Sequence, residues 1–488
     1  MSVTISRQGA LFSLEGNVPL ELTKFIHSEF SYKVRNLNVF TNTIEFLPCS
    51  LFTLRKDGAY ILPIGCLRRV QDFCDKRLIP YKITGNVYGP LPCSWDILKA
   101  NVNFRPGQEK CLAAIDEVLQ KAYGGVIVAP PAFGKSFLIS AICLLYSGNT
   151  IDIITRRRDV ALTLYNYLQR YHPKVGIVTT GYKQQERITV YTAKSLGHSS
   201  LKADIICLDE VHELVTDSIF PAIMHYPTPR RLGFTATVDT RFDNHHKRIE
   251  ALCGPIIFEV DYSFAQSAGL VVPIIVQWLD YDSSYDPTDG VAQLSLRKRL
   301  GIWQNYPRNK KIAAVATEFY NQGLQTLILT ETIEHALTLQ QLLPQFEVCY
   351  AGTNQEGGYP NDIQFVKISP KRREELRQKF MARQLMGVIA TGVWSAGVSF
   401  DGLEVLIRAD GMASKTQSVQ APGRVSRISS DTGKSYGIVV DFVDDFNYTF
   451  KAHTKARVEM YAKNNWLQFS PHGKVIKNAN QLFAECRQ

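Results

Sequence analysis

Gly125-Val-Ile-Val-Ala-Pro-Pro-Ala-Phe-Gly-Lys-Ser136 is the stretch on which the chain turns. A short apolar run ends in a Pro-Pro turn, and Gly134-Lys135-Ser136 then opens into Phe137-Leu-Ile-Ser-Ala-Ile-Cys-Leu-Leu145. Strand, tight loop and buried helix in that order form the setting of a phosphate-binding loop. Backbone N–H groups from Ala132 to Phe137 and the helix N-terminus would cradle phosphates, with Pro130, Pro131, Phe133 and Gly134 shaping the turn. Lys135 would reach the outer phosphates and Ser136 would hold Mg²⁺. Ala129 stands where the usual pattern begins with glycine.

Downstream, Ala203-Asp-Ile-Ile-Cys-Leu208 runs into Asp209-Glu210-Val211-His212. A carboxylate at a strand end can face the phosphate loop and bind Mg²⁺, and the next can deprotonate an attacking water. Two acids after an apolar run say little alone. Joined to Gly134-Lys135-Ser136 they point to ATP hydrolysis.

The 488 residues are too many for one core, so several domains are expected. Composition is that of a globular protein, with 45% hydrophobic and 20% charged residues. The net charge of +10 suits a polyanionic partner without requiring one. Ten cysteines form no Cys-x-x-Cys pair, which fits a reducing cytoplasm better than a disulfide scaffold. No uncharged span long enough for a membrane helix occurs and no apolar signal segment follows Met1. The expectation is a cytoplasmic protein (host cytoplasm if phage-encoded) with no membrane partner.

Residues 1–95 read as a small α+β domain, with alternating stretches near 11–14 and 59–64 and helices over 19–30 and 67–77. Lys33, Arg35, Arg68, Arg69 and Lys82 mingle there with Phe30, Tyr32, Phe73 and Tyr81. Such a mixture suits a nucleic-acid backbone, and equally a solvated surface over a few core aromatics. Strands and helices alternate over 96–265 and again over 266–446, the pattern of two parallel sheets covered on both faces. Residues 447–488 read as a basic helix over 448–463 and an indistinct tail.

Further elements lie in order along both halves. Phe104-Arg-Pro-Gly-Gln108 precedes the phosphate loop, and a glutamine can pair with both edge groups of adenine. Thr155-Arg156 and Tyr191-Thr192-Ala-Lys-Ser-Leu196 follow strands, where hydroxyls suit phosphate oxygens or cap helices. Thr235-Ala-Thr237, Thr391 and Gly397 within Ala390-Thr-Gly-Val-Trp-Ser-Ala-Gly-Val-Ser-Phe400, and Gln420-Ala-Pro-Gly-Arg-Val-Ser-Arg427 complete the set. Arg424 and Arg427, three apart, would face one way on a helix. Lys371 and Arg372 open a helix where anions are preferred, a local conflict of the kind that accompanies function.

From 104 to about 446 this set resembles that of the superfamily-2 helicases, DEAD/DEAH type, and most of all the phage branch-migration and fork-reversal helicases. The resemblance implies two tandem RecA-like domains around an ATP-binding cleft, between the small N-terminal α+β domain and a helical C-terminal extension. It assigns ATP and Mg²⁺ as cofactors, with Glu210 as base, Asp209 and Ser136 on the metal, and Lys135, Arg424, Arg427 and Gln420 at the phosphates. It gives Arg105, Gln108 and Gly397 to the nucleotide, and Thr155, Arg156, Thr192, Thr391, Lys371 and Arg372 to nucleic acid. The partner implied is forked or branched DNA, bound by a monomer moving 3′ to 5′. An RNA helicase and a non-processive ATPase switch remain alternatives. Ala132 and Ser399 depart from the family pattern, which has Gly and Asp there.

Overall fold

A computed structural model describes residues 2–38, 43–198, 203–236, 246–282, 284–352, 367–394, 400–411, 413, 421–429 and 432–486. The chain forms two compact units, Met1–Val260 and Asp261–Gln488.

Unit 1 opens with a five-stranded sheet in the order Thr53–Leu54, Tyr60–Pro63, Leu11–Glu15, Val3–Gln8, Tyr81–Gly85. Burial alternates along Val3–Gln8, the period of a half-covered strand. Helices Leu20–Glu29 and Leu67–Lys76 cover that face with Leu22, Ile26, Leu67 and Val70. Strands Ser31–Asn38 and Thr43–Ser50 pair as a separate antiparallel ribbon.

These N-terminal elements share a core with later residues of unit 1. Ala251 belongs to their apolar cluster, and Tyr123 and Phe220 pack against it. Arg69 Nε lies 2.7 Å from Glu250 Oε1, the Tyr123 hydroxyl donates to Gln71 Oε1 at 2.8 Å, and Arg7 Nη2 donates to the Ala122 carbonyl at 2.8 Å. A Cβ on Gly65 would run into the backbone carbonyls of Glu250 and Ala251. Gly65→Ala is therefore expected to destabilise unit 1 by about 1–3 kcal/mol, as overpacking does, seen as a lower melting temperature. An unchanged melt would refute the close approach.

The larger sheet of unit 1 has eight strands, in the order Tyr182–Gln184, Gly176–Thr179, Ile188–Thr192, Ile151–Thr155, Ile205–Asp209, Arg231–Thr235, Gly125–Val128, Ile256–Glu259. All pairs are parallel except the first. Its central strands are buried throughout, which is why they read as apolar runs. Register aligns Thr192 with Thr155, Asp209 with Phe234, and Thr235 with Val128. The candidate residues thus gather at one edge, the carboxyl ends of parallel strands, where open α/β sheets bind ligands.

Unit 2 carries a second eight-stranded sheet, ordered Glu347–Cys349, Gly387–Ala390, Thr326–Leu329, Val405–Arg408, Gly437–Phe442, Ile274–Leu279, Leu467–Phe469, Val475–Ile476. Helices Tyr306–Asn321, Ile333–Leu342 and Pro370–Met381 connect its strands. The C-terminal extension is not purely helical. After helix Tyr448–Lys463 the chain returns to the sheet, Leu467–Phe469 pairing in parallel with Ile274–Leu279, and Val475–Ile476 closes a short hairpin before helix Ala479–Glu485. Trp278 Nε1, wholly buried, donates to Gln468 Oε1 at 2.9 Å and fixes that pairing.

Helix Tyr448–Lys463 also delivers Arg457 into a buried ionic cluster. Its Nε lies 3.1 Å from Asp441 Oδ2 and its Nη2 3.2 Å from Asp444 Oδ2, while Arg308 Nε donates to Asp444 Oδ1 at 2.8 Å. All four side chains are fully buried. The two arginines hold Asp444 well below the usual carboxylate range despite its burial. Arg457→Ala would take the nearest guanidinium from Asp441 and leave Asp444 with Arg308 alone, with an expected loss of about 3–5 kcal/mol. Denaturant unfolding measures it, and a loss under 1 kcal/mol would mean water replaces the guanidinium. Among the described residues no helix is long and apolar enough to cross a membrane, and no cluster of three or more metal-ligating side chains occurs.

Candidate active site

Strand Gly125–Val128 leads to a single 3₁₀ turn, Pro131–Phe133, closed by Phe133 N–H donating to the Pro130 carbonyl at 3.1 Å. Gly134 follows at φ 94°, and a Cβ there would stand 2.8 Å from Gln108 Nε2. Both backbone angle and space require glycine. Ala132 is not among the residues of positive φ, so its methyl group is compatible with this turn. Helix Lys135–Leu145 begins at once, with Lys135 buried and Ser136 exposed at its first turn.

Across the sheet edge, Glu210 sits in the left-handed region at φ 48°, ψ 54°. For a residue with a Cβ that costs about 1–2 kcal/mol, strain of a kind that gathers at functional sites. The twist sends its carboxylate to two partners. Oε1 lies 3.2 Å from Lys135 Nζ, and Oε2 lies 3.6 Å from His212 Nδ1. His212 Nδ1 is also 3.0 Å from Thr235 Oγ1, which is wholly buried. One chain of contacts therefore joins the phosphate loop, the acidic pair and the Thr-Ala-Thr strand end.

Desolvation, and next the Glu210 charge, push the Asp209 carboxyl well above its ordinary range, with Lys135 acting against them. Two carboxylates face one lysine. That shortage of positive charge, beside the exposed Ser136 hydroxyl, fits a divalent cation.

Gln108 behaves differently from a free base reader. It is buried at the start of helix Gln108–Gln120, its Nε2 donates to the Phe133 carbonyl at 2.7 Å, and its Oε1 accepts from Arg105 N–H at 2.9 Å. One amide group holds the phosphate turn and the other the Arg105 backbone ahead of the helix. Arg105 is exposed nearby, and Phe137 meets Phe104 edge-on at 6.3 Å.

In unit 2 the arginines do not share a helix. Pro422–Arg424 is a 3₁₀ turn and Arg427 forms a bridge with Val271, so a common facing by helical spacing does not apply. Pro422 and Gly423 interrupt the helix, since proline lacks a donor and glycine resists the helical state. Arg424 is buried with its guanidinium 6.0 Å from the Phe400 ring centre. Arg427 Nη1 is 3.1 Å from Asp401 Oδ1. Thr391 is buried at its strand end, whereas Gly397 and Gln420 lie outside the described residues, as does Thr237 of unit 1.

Two family descriptions match the chain in order: the type III restriction enzyme res subunit over residues 101–240, and the helicase conserved C-terminal domain over 310–429. The chain thus matches a helicase C-terminal description downstream of a restriction-enzyme subunit description, each over about a quarter of its length. Similar to this chain is a protein described as helicase 22 of Sulfolobus islandicus filamentous virus, 23% identical over 74% of this chain and 68% of the viral protein. The DNA 3′-5′ translocase XPB2 of Sulfurisphaera tokodaii is 25% identical over 71% and 83% respectively. Among solved structures, UvsW of phage T4 superposes with a TM-score of 0.42 at 16% identity, covering 96% of this chain and 99% of that one.

The remaining candidates lie at strand and helix ends. Thr155 Oγ1 donates to the Arg157 carbonyl at 3.1 Å, turning the loop rather than capping an N–H, and Arg156 is exposed beside it. Thr192 Oγ1 is 2.9 Å from Ser195 Oγ in a buried pair. At helix Pro370–Met381 the Ser369 side chain caps Arg372 N–H at 3.1 Å, and Arg372 lies 3.6 Å from both Glu347 and Glu375. These anions offset the cations at that helix start, while Lys371 stays exposed. Two ion pairs were not foreseen from the sequence, Asp401 with Arg427 at 3.1 Å and Glu213 with Arg157 at 2.9 Å. Separations of 26 and 56 residues left no local signal for either.

Proposed function

We propose that this protein is an ATP-dependent helicase or translocase acting on branched DNA, forks and Holliday junctions, in recombination, repair or replication. The observation that carries the reading is the Lys135–Glu210–His212–Thr235 chain of contacts, which puts a base and a phosphate-binding lysine at one sheet edge. In hydrolysis the Glu210 carboxylate takes a proton from water and the hydroxide attacks the γ-phosphorus. The bond to the bridging oxygen breaks, leaving ADP and inorganic phosphate. Lys135 must exchange Glu210 for a phosphate oxygen, which frees the carboxylate to act as base. Gly134 and the amides that follow it cradle the phosphates, and Gln108 keeps that turn in shape. Ser136 and Asp209 would hold Mg²⁺, whose charge neutralises the phosphates when bound. Arg424 and Arg427 carry the charge developing on the phosphoryl group.

Thr155, Arg156, Thr192, Thr391, Lys371 and Arg372 are the proposed backbone contacts, with residues 1–95 adding duplex or junction recognition. DNA is favoured by the translocase relative, named for DNA and matched over 83% of its length. A relative from Acanthamoeba polyphaga mimivirus, described as an ATP-dependent RNA helicase and 24% identical, supports the second reading, an RNA substrate. ATP turnover and strand displacement on forks, junctions, duplex, single-stranded DNA and RNA of equal length decide between them. Strongest stimulation by RNA would overturn the DNA assignment, and turnover without displacement or translocation would leave an ATPase switch.

A further inference from the structure

The contact that binds the strand-end loop Thr155–Arg157 to the acidic turn has no part in the hydrolytic chemistry. Arg157 Nη2 lies 2.9 Å from Glu213 Oε1, with Glu213 one-sixth exposed and Arg157 one-third. Glu213 closes the 3₁₀ turn Val211–Glu213, its N–H donating to the Glu210 carbonyl at 2.8 Å. The turn therefore has left-handed Glu210 at one end, pinned to Lys135, and Glu213 at the other, pinned to Arg157. Arg157 is delivered by a loop whose Thr155 hydroxyl holds the Arg157 carbonyl and whose neighbour Arg156 is exposed.

We propose that Glu213 is a positioning residue that holds Glu210 against Lys135 until a nucleic-acid phosphate competes for Arg157. This deepens the helicase reading and rests on it. A phosphate offers a guanidinium the same bidentate geometry as a carboxylate, so the two anions are natural rivals for one arginine. When the phosphate wins, the far end of the turn is freed and Glu210 is no longer braced in the left-handed region. ATP turnover is thereby tied to occupancy of the backbone track within a single unit.

The test is Glu213→Gln, which keeps size and removes charge, in the full chain. Without nucleotide, affinity for a single-stranded oligonucleotide should rise three-fold or more. The slope of log affinity against log salt should steepen by about 0.7, one further phosphate contact on a single strand. ATP turnover in the absence of nucleic acid should rise several-fold, with the stimulated rate little changed, so the stimulation ratio falls. A merely structural glutamate would leave that ratio and the salt slope where they were, and unchanged values in a variant with a normal melt would overturn the proposal. The charge-swapped pair Arg157→Glu with Glu213→Arg keeps the brace but loses the phosphate ligand. It should hydrolyse ATP slowly and resist stimulation, and high unstimulated turnover there would likewise overturn it. Absence of turnover in the unmodified protein would instead sink the functional reading, and the binding measurements would still decide the role of Glu213.

Discussion

Glu210→Gln is expected to lower ATP turnover by about 10²–10⁴-fold, the range a general base supplies, with ATP still bound. The amide has the same shape but takes no proton from water. It also loses the ion pair that Glu210 Oε1 makes with Lys135 Nζ at 3.2 Å. Lys135 then gives up no ion pair with residue 210 when it takes a phosphate, so nucleotide affinity should hold or improve. Single-turnover hydrolysis with a fluorescent-nucleotide titration separates the two quantities. Turnover within a few-fold of the parent would take Glu210 out of the chemistry. A joint loss of turnover and affinity would recast it as a support for the phosphate turn.

Arg427→Ala should cut turnover by roughly 10³-fold or more, the scale of an arginine that stabilises phosphoryl transfer, while nucleotide affinity changes little. The structure pairs that side chain with Asp401 at 3.1 Å, and Asp401 is largely exposed. Because the Arg427 side chain is itself only about a quarter exposed, the melting temperature of the variant is measured beside its turnover. A deficit in a variant with a normal melt belongs to the reaction. Arg427→Lys keeps charge but not the planar fork and should recover only part of the rate. Full turnover in the alanine variant would remove Arg427 from the site and leave Arg424 as the remaining candidate.

Much of the architecture could be read from the chain because buried parallel strands are written as unbroken apolar runs. Gly125–Val128, Ile151–Thr155 and Ile205–Asp209 are cases in point. Gly134-Lys135-Ser136 was legible for a related reason: the turn demands positive φ, and only glycine meets it cheaply. The left-handed state of Glu210 was not legible, since nothing in a glutamate's neighbours signals it. Gln108 showed what it could bond but not what it does bond, because Phe133 comes near only when the sheet forms. The spacing of Arg424 and Arg427 suggested a helix, yet Pro422 and Gly423 made a tighter turn. The strand Leu467–Phe469 escaped notice because three residues are too few for any periodicity.

That last strand has a consequence for the handling of the second unit. It lies along Ile274–Leu279, whose other flank is already taken by Gly437–Phe442. Trimming the chain near residue 446, where the recognisable elements stop, would strip that side bare and present a ready row of unpaired amides and carbonyls to neighbouring molecules. In the intact chain the closing strands cover that flank.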